Sequence, residues 1–170
     1  MTTATPHPVP PYAHPLVAPL VRAACPEDAT ALAALSRPFV RSGALRERPR
    51  SLYAAHAADF LVVEALDGSL EGCLGLRVHP DGEHGPAGVL YNFCVARHRQ
   101  GGGTGAHLLQ ATLARARALS LGALFTATTG AGGLFLRHGF TPTGPRPAPA
   151  DWVRSLDPRR NARVLGRVLP

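Results

Sequence analysis

The first part of the hydrophobic pattern predicts one strand and two helices. An apolar stretch over 16–22 is typical of a strand. Pro26 and the two acids after it favour the first turn of an amphipathic helix, which we expect to end near Ser36. A second, shorter helix is predicted over 51–57.

Apolar runs separated by turn residues predict the central strands. Residues 60–65 and 70–78 lie on either side of an Asp-Gly turn, which is typical of a β-hairpin. A loop rich in glycine, proline and acids follows. Residues 89–95 then form a nearly continuous apolar run, and such a run favours a central strand that is buried on both faces.

A glycine-rich segment over 100–105 stands between this strand and a helix whose apolar residues recur at helical spacing from Leu108 to Leu119. Glycines allow backbone N–H groups to turn toward a ligand, and a helix N-terminus favours negative charge. Three consecutive glycines cost conformational entropy that a simple turn would not need. The segment therefore predicts a site where the backbone binds a pyrophosphate.

Two other phosphate-binding patterns fit less well. A nucleotide P-loop needs a Gly-Lys-Ser/Thr sequence, and the chain contains no lysine. The dinucleotide pattern is met only loosely, by Gly101, Gly103 and Ala106. The next strand-like run, 123–127, offers no acid to bind a ribose.

The glycine segment resembles the acyl-CoA signature of the GNAT superfamily of N-acetyltransferases, which Gln100, Gly103 and Gly105 match. A second match is the short helix with its Gly-Phe ending over 134–140. The resemblance implies a GNAT fold over 16–170, an α/β (α+β) domain with a mixed, mostly antiparallel central sheet of six to seven strands and about four flanking helices. It also implies that acetyl-CoA is the co-substrate.

The resemblance further implies which residues contact acetyl-CoA: Cys94, Val95, Gln100, Gly101, Gly102, Gly103, Thr104, Gly105 and Phe135. It implies direct attack of a neutral amine on the thioester, so Cys94 is not expected to act as a nucleophile. The candidate catalytic residues are Tyr91 and Asn92 on the central strand. Tyr91 either relays a proton through water or only packs against and bonds the substrate.

Within the superfamily, the chain resembles the acetyltransferase domain of N-acetylglutamate synthases over about 20–169. Four segments carry this resemblance: 43–48, 72–77, 124–129 with 134–140, and 160–165. It implies acetyl transfer to the α-amino group of an amino acid, foremost L-glutamate, which is the first step of arginine biosynthesis. Two other function classes stay open: a GNAT enzyme for another amine, such as a peptide terminus, and a non-catalytic acyl-CoA sensor.

The acceptor of such an enzyme carries two carboxylates, which planar guanidinium groups bind well. Arg48 and Arg160 stand where that family holds the carboxylates, and Arg77 stands where a lysine is common. Thr128 lies in a matched segment and is also expected to bind the substrate. Ala162 replaces a substrate-contacting serine of the family. A solvated surface position is the ordinary alternative for each arginine.

Composition and charge narrow the class of partner. The length of 170 residues suits one domain. The net charge of +7 comes from arginines scattered without a dense basic run, so nucleic acid is not an expected partner. No apolar run approaches 20 residues, and we expect a cytoplasmic protein without a membrane partner. Cysteines and histidines lack zinc-site spacing, so no metal is expected. These features are compatible with a homodimer.

Residues 1–15 are predicted to form a flexible arm, because prolines recur there among small polar residues without an apolar pattern. We expect deletion of these residues to leave the melting temperature unchanged, since the arm has little to bury. A thermal unfolding scan of the truncated and full chains tests this. A loss of several degrees would show that the arm packs against the domain.

Overall fold

A computed structural model describes residues 20–170 of the chain. The arm predicted over 1–15 lies outside these residues, and the first strand is described from Leu20 onward. The elements are, in chain order, β1 (Leu20–Ala23), α1 (Ala29–Arg41), α2 (Arg50–Ala55), β2 (Phe60–Glu64), β3 (Leu70–His79), β4 (Ala87–Val95), α3 (Thr104–Ala118), β5 (Ala123–Thr128), α4 (Gly133–Arg137), β6 (Thr141–Pro142), α5 (Ala150–Ser155) and β7 (Arg163–Val168). Short 3-10 turns cover Pro26–Asp28, Ala57–Asp59, Arg97–Arg99 and Pro158–Arg160.

The seven strands form one sheet in the order β1-β2-β3-β4-β5-β7-β6. Neighbouring strands are antiparallel except β4 and β5, which run parallel. The predicted α/β fold with a mixed, mostly antiparallel sheet is thus confirmed. The hairpin predicted from the Asp-Gly turn is formed by β2 and β3, with Phe60 opposite Gly75.

The sheet buries a separate core on each face, because side chains alternate along its strands. Val62 packs with Leu32 of α1 and Tyr53 of α2 on one face. Val63, its neighbour in β2, belongs to the core on the other face together with Leu108 of α3. The central strands are therefore covered on both sides, as the apolar run of β4 predicts.

The first helix is longer than expected, and the predicted end near Ser36 was wrong. α1 continues through Pro38 to Arg41. Proline near the end of a helix removes only one intrahelical hydrogen bond. Phe39, directly after it, packs against the core on the α1 face. We attribute the longer helix to this packing, which outweighs the local cost of the proline.

Candidate active site

The parallel strands β4 and β5 separate toward their carboxyl ends. Their pairing ends at Leu90 opposite Thr126. Just beyond, β4 carries a bulge in which Asn92 and Phe93 lie opposite the single residue Leu74 of β3. Because a bulge bends the strand that carries it, the last residues of β4 leave a gap beside β5.

Two cavities meet in this gap. The larger, which we name the large cleft, has a volume of about 620 Å³ and is walled by β4, β5, residues 44–48 and residues 152–162. The smaller, the loop pocket, has a volume of about 280 Å³ and lies between the end of β4, the glycine-rich turn and Leu134 of α4. Phe39 and Phe93 line both cavities. A ligand in one cavity can therefore reach a ligand in the other.

The structure brings most of the predicted acetyl-CoA contacts to the loop pocket. Those in its wall are Cys94, Val95, Gln100, Gly101 and Gly105. Gly102, Gly103 and Thr104 continue the same turn into α3. Phe135 lines the large cleft instead, where its ring packs edge-on against Phe93 and Phe140.

The glycine-rich turn presents backbone groups. Gly101 and Gly103 adopt φ angles of 79° and 86°, in the left-handed region that favours glycine. A Cβ at Gly103 would meet no atom within 4 Å, and no side chain caps α3 at Thr104. Gln100 Nε2 donates to the carbonyl of Val95 at 3.0 Å and holds the turn against β4. This arrangement suits an anion at the start of a helix.

The last backbone N–H of β4 points into the gap. Ala96 donates its N–H to the carbonyl of Glu71, next to β3, at 2.8 Å. Because the direction of backbone groups alternates along a strand, the N–H of Val95 points away from β3. On that side β5 has already ended, so no neighbouring strand in the described part of the chain accepts this N–H. The carbonyl of Val95 points the same way, because it accepts Gln100 of the turn.

Two guanidinium groups lie close to the ring of Tyr91. The Cζ atoms of Arg48 and Arg77 are each 5.2 Å from the centroid of its ring. Its Oη donates to Asp59 Oδ2 at 2.7 Å and accepts from Arg77 Nη2 at 3.2 Å. Burial and the Asp59 carboxylate raise the pKa of Tyr91, so the phenol stays neutral near pH 7. A proton relay through Tyr91 stays a prediction.

Arg77 is paired with Asp59 beside this ring. Its Nη2 forms an ion pair with Asp59 Oδ2 at 2.9 Å, and its Nε donates to the same oxygen at 3.0 Å. Unlike Arg48 and Arg160, it is not among the residues that wall the large cleft. Its predicted contact with a substrate carboxylate also stays a prediction.

The Asn92 side chain joins four neighbours at the bulge. Its Oδ1 accepts from Arg48 Nη1 and from Tyr53 Oη, each at 3.2 Å. Its Nδ2 donates to Ser36 Oγ at 2.9 Å and contacts Cys73 Sγ at 3.6 Å. Asn92 is buried and adopts a φ of 51°, a conformation that asparagine tolerates better than most residues. A catalytic role for Asn92 stays a prediction.

Arg48 is half-buried and forms part of the wall of the large cleft. Burial lowers the pKa of its guanidinium, which remains a cation because arginine starts so high. Its Nη1 donates to Asn92 Oδ1 and to the carbonyl of Arg46. Among the described residues, both of its hydrogen bonds use Nη1, so the edge with Nε and Nη2 remains for a carboxylate.

Two arginines tie the loop after α1 to the end of α5 and to the 3-10 turn that follows it. Arg160 Nη2 donates to the carbonyls of Gly43 and Ala44 at 2.8 and 3.0 Å. Arg46 Nη1 donates to the carbonyl of Ser155 at 3.0 Å. The loop and the 3-10 turn wall the large cleft, which also contains Thr128. The structure therefore brings Arg48, Thr128 and Arg160 together, as predicted from three distant segments.

The sequence reasoning did not identify Asp59 or Tyr53. Asp59 stands one residue before β2, whose Phe60 pairs with Gly75, and Gly75 pairs with Tyr91. The register of three strands thus brings the carboxylate to the phenol. No local signal marks either residue, and only a correct strand register would have found Asp59.

Neither a metal-binding cluster nor a membrane-spanning helix is found among the described residues. Within residues 20–170, no group of three or more histidine, cysteine, aspartate or glutamate side chains is arranged to hold a metal ion. No helix in the same range combines the length and apolar character that crossing a membrane requires.

Comparison with known proteins gives a family match and several relatives. The model of the Acetyltransferase (GNAT) family matches residues 29–140. An amino-acid acetyltransferase of Azotobacter vinelandii is 34% identical over 149 residues, which cover 88% of this chain and 34% of that protein. One of Neisseria meningitidis is 32% identical over 143 residues, 84% of this chain and 31% of that protein. This chain thus spans about a third of the length of these relatives.

Two solved structures are similar over most of the chain. An N-acetylglutamate synthase of Neisseria gonorrhoeae, complexed with coenzyme A and N-acetyl-glutamate, has a TM-score of 0.79 at 30% identity and covers 89% of this chain and 35% of that chain. Rv2747 of Mycobacterium tuberculosis, in a complex that includes CoA, has a TM-score of 0.72 at 26% identity. That match covers 89% of this chain and 100% of the other.

Proposed function

Because the chain belongs to the GNAT acetyltransferase family, we propose that it transfers the acetyl group of acetyl-CoA to the α-amino group of an amino acid, with L-glutamate as the preferred acceptor. This reaction is the first step of arginine biosynthesis. The observation that carries the proposal is the meeting of two cavities at Phe39 and Phe93. One is bordered by the glycine-rich turn, and the other contains Arg48 and Arg160.

Acetyl-CoA is proposed to bind with its pyrophosphate on the backbone of 100–105. The uncapped start of α3 and the open side of Gly103 support this placement. The thioester then lies near the end of β4, where the N–H of Val95 points into the gap. A backbone N–H in this position stabilises the negative charge that develops on the carbonyl oxygen.

The acceptor is proposed to bind in the large cleft with its carboxylates on Arg48 and Arg160. Its neutral amine attacks the thioester carbon at the junction of the cavities, and the C–S bond breaks with release of the CoA thiolate. The contribution of the protein is mainly positioning and polarisation. A thiolate leaves readily near neutral pH, so no strong general acid is needed.

A turnover screen tests the proposed function. Acetyl-CoA consumption is measured with glutamate, glutamine, other amino acids, a polyamine and a peptide as acceptors. We expect glutamate to give a kcat/KM at least about tenfold above that of glutamine, because glutamine lacks the second carboxylate for a charge-assisted contact. Equal values would mean that only the α-carboxylate is held, an outcome that the loss of a serine at Ala162 would explain.

Two results of the screen would contradict parts of this proposal. Turnover of a peptide or polyamine but of no amino acid would replace the acceptor in this proposal. Binding of acetyl-CoA without turnover of any amine would contradict the enzymatic function and support an acyl-CoA sensor.

A valine at Gly103 is expected to weaken acetyl-CoA binding by about tenfold or more. The substitution strains a backbone φ of 86° and adds a branched side chain where the pyrophosphate approaches. Calorimetric titration with acetyl-CoA measures the effect. Gly85→Val is the matched control, because Gly85 has a φ of 91°, also has open space around its Cβ position and lies outside both cavity walls. Equal binding by both variants would remove the turn from the site.

A further inference from the structure

Two cysteines lie side by side between the sheet and α1. Cys73 on β3 and Cys94 on β4 are direct partners in the antiparallel register, and their Sγ atoms are 3.5 Å apart. Both are buried, whereas Cys25, the third cysteine of the chain, is exposed. The acetyl transfer proposed above uses neither buried thiol.

Their placement suits a disulfide. Directly opposed residues of antiparallel strands have Cα atoms about 4.5 to 5.5 Å apart, and disulfides span this range. The sulfur atoms need to approach by about 1.5 Å to reach the bond length of about 2.05 Å. The pairing of β3 and β4 does not need to change, because the two side chains already lie on the same face.

Cys94 is the member of the pair that a small reagent reaches first. It lies in the wall of the loop pocket, whereas Cys73 is fully enclosed. Its contacts with Cys73 and with Ser36 hold the pKa of Cys94 below its ordinary value, and the contact with Cys94 together with burial raises the pKa of Cys73. A thiol that ionises more easily beside a resolving thiol is the arrangement found in redox-sensing cysteines.

We propose that Cys73 and Cys94 form a redox-modification site that hydrogen peroxide oxidises to an intramolecular disulfide. The Cys94 thiolate attacks one peroxide oxygen, the O–O bond breaks and hydroxide leaves, which forms a sulfenic acid. The Cys73 sulfur, after losing its proton, attacks the Cys94 sulfur, so that the S–S bond forms, the S–O bond breaks and hydroxide leaves. The two released protons convert both hydroxides to water, and the two thiols supply the two electrons that reduce the peroxide.

The disulfide is expected to disturb the large cleft through Asn92. Cys73 Sγ contacts Asn92 Nδ2 at 3.6 Å, and Asn92 Oδ1 accepts from Arg48. Movement of the Cys73 sulfur toward Cys94 weakens the first of these contacts and alters the support of Arg48. Oxidation should therefore reduce acetyl transfer. That reduction rests on the proposed function, whereas formation of the disulfide does not.

The experiment uses the full chain with Cys25→Ser, which retains only the two buried thiols. After treatment with hydrogen peroxide, we expect intact-mass analysis to show a monomer lighter by about 2 Da and a thiol titration in denaturant to show no free thiol. Acetyl-CoA consumption should fall at least about tenfold and return when dithiothreitol is added. Saturating acetyl-CoA, which fills the loop pocket, should slow the loss of thiols.

Two matched variants test which cysteine reacts with peroxide and which one then forms the disulfide. In the C25S background, Cys73→Ala should leave a sulfenic acid at Cys94 that dimedone traps, and Cys94→Ala should leave Cys73 nearly unreactive. Persistence of both thiols in the C25S chain, disulfide-linked dimers, or addition of oxygen without the 2 Da loss would each overturn the proposal. A reversible disulfide in a chain that acetylates no amine would support the redox site and contradict the proposed function instead.

Discussion

Replacing Asn92 with alanine is expected to lower the free energy of unfolding by about 3 kcal/mol. The change removes the hydrogen-bond partner of Tyr53, Ser36 and Arg48, and the first two of these are almost completely buried. It also places a side chain without local hydrogen bonds at a φ of 51°. For a chain of this size the melting temperature should fall by about 6 to 12 °C.

Chemical and thermal unfolding measure this effect, and Asn161→Ala is the matched control. Asn161 has a φ of 46° but is exposed, so its replacement carries the backbone strain without unpaired buried groups. We expect it to cost about 1 kcal/mol. Asn92→Gly relieves the strain but still removes the hydrogen bonds, and should recover only that 1 kcal/mol. Equal losses for Asn92→Ala and Asn161→Ala would contradict the role of the side-chain hydrogen bonds.

The sheet could be predicted because its signals are local. The Asp-Gly turn between two apolar runs is the β2–β3 hairpin, and the apolar run before the glycines is β4. The glycine-rich turn could be predicted for the same reason, since strand, turn and helix follow one another within about thirty residues. Where a local signal competed with packing, as at Pro38, the prediction failed.

The large cleft could be predicted only in part, because its contacts join distant parts of the chain. The family resemblance indicated Arg48 and Arg160, and both line the cleft. Their partners depend on tertiary structure: Arg160 reaches the carbonyl of Gly43 across 117 residues, and Arg48 reaches Asn92 across 44. The sequence also does not reveal that the side-chain amide of Asn92 is hydrogen-bonded to Arg48, Tyr53 and Ser36.

Replacing Arg48 with methionine is expected to raise the KM for the acceptor by about 100-fold. A charge-assisted, bidentate contact with a carboxylate in an enclosed site contributes about 3 kcal/mol, and a factor of ten corresponds to about 1.4 kcal/mol. Methionine retains an apolar stem beside the Tyr91 ring but offers no donor. Steady-state rates with glutamate measure the change, and the KM for acetyl-CoA should stay nearly constant because that ligand is proposed to bind in the loop pocket.

Two further variants, Arg160→Ala and Arg115→Met, serve as an intermediate case and a control for the effect of Arg48→Met. Arg160 already donates its Nη2 to two backbone carbonyls, so its loss should raise the acceptor KM by about thirtyfold. Arg115, on α3, donates to the carbonyl of Ala58 and lies outside both cavity walls, so Arg115→Met should leave both KM values unchanged. A large rise in the KM for acetyl-CoA with Arg48→Met, or an equal effect of Arg115→Met, would show that Arg48 supports the fold rather than the acceptor. The order Arg48, Arg160, Arg115 follows from the donors that each guanidinium offers to the large cleft. The hydrogen bonds of Arg48 to described residues use only Nη1, whereas Nη2 of Arg160 is shared with two backbone carbonyls, and Arg115 lies outside the cleft. A carboxylate gains most from the arginine with the most donors left to bind it.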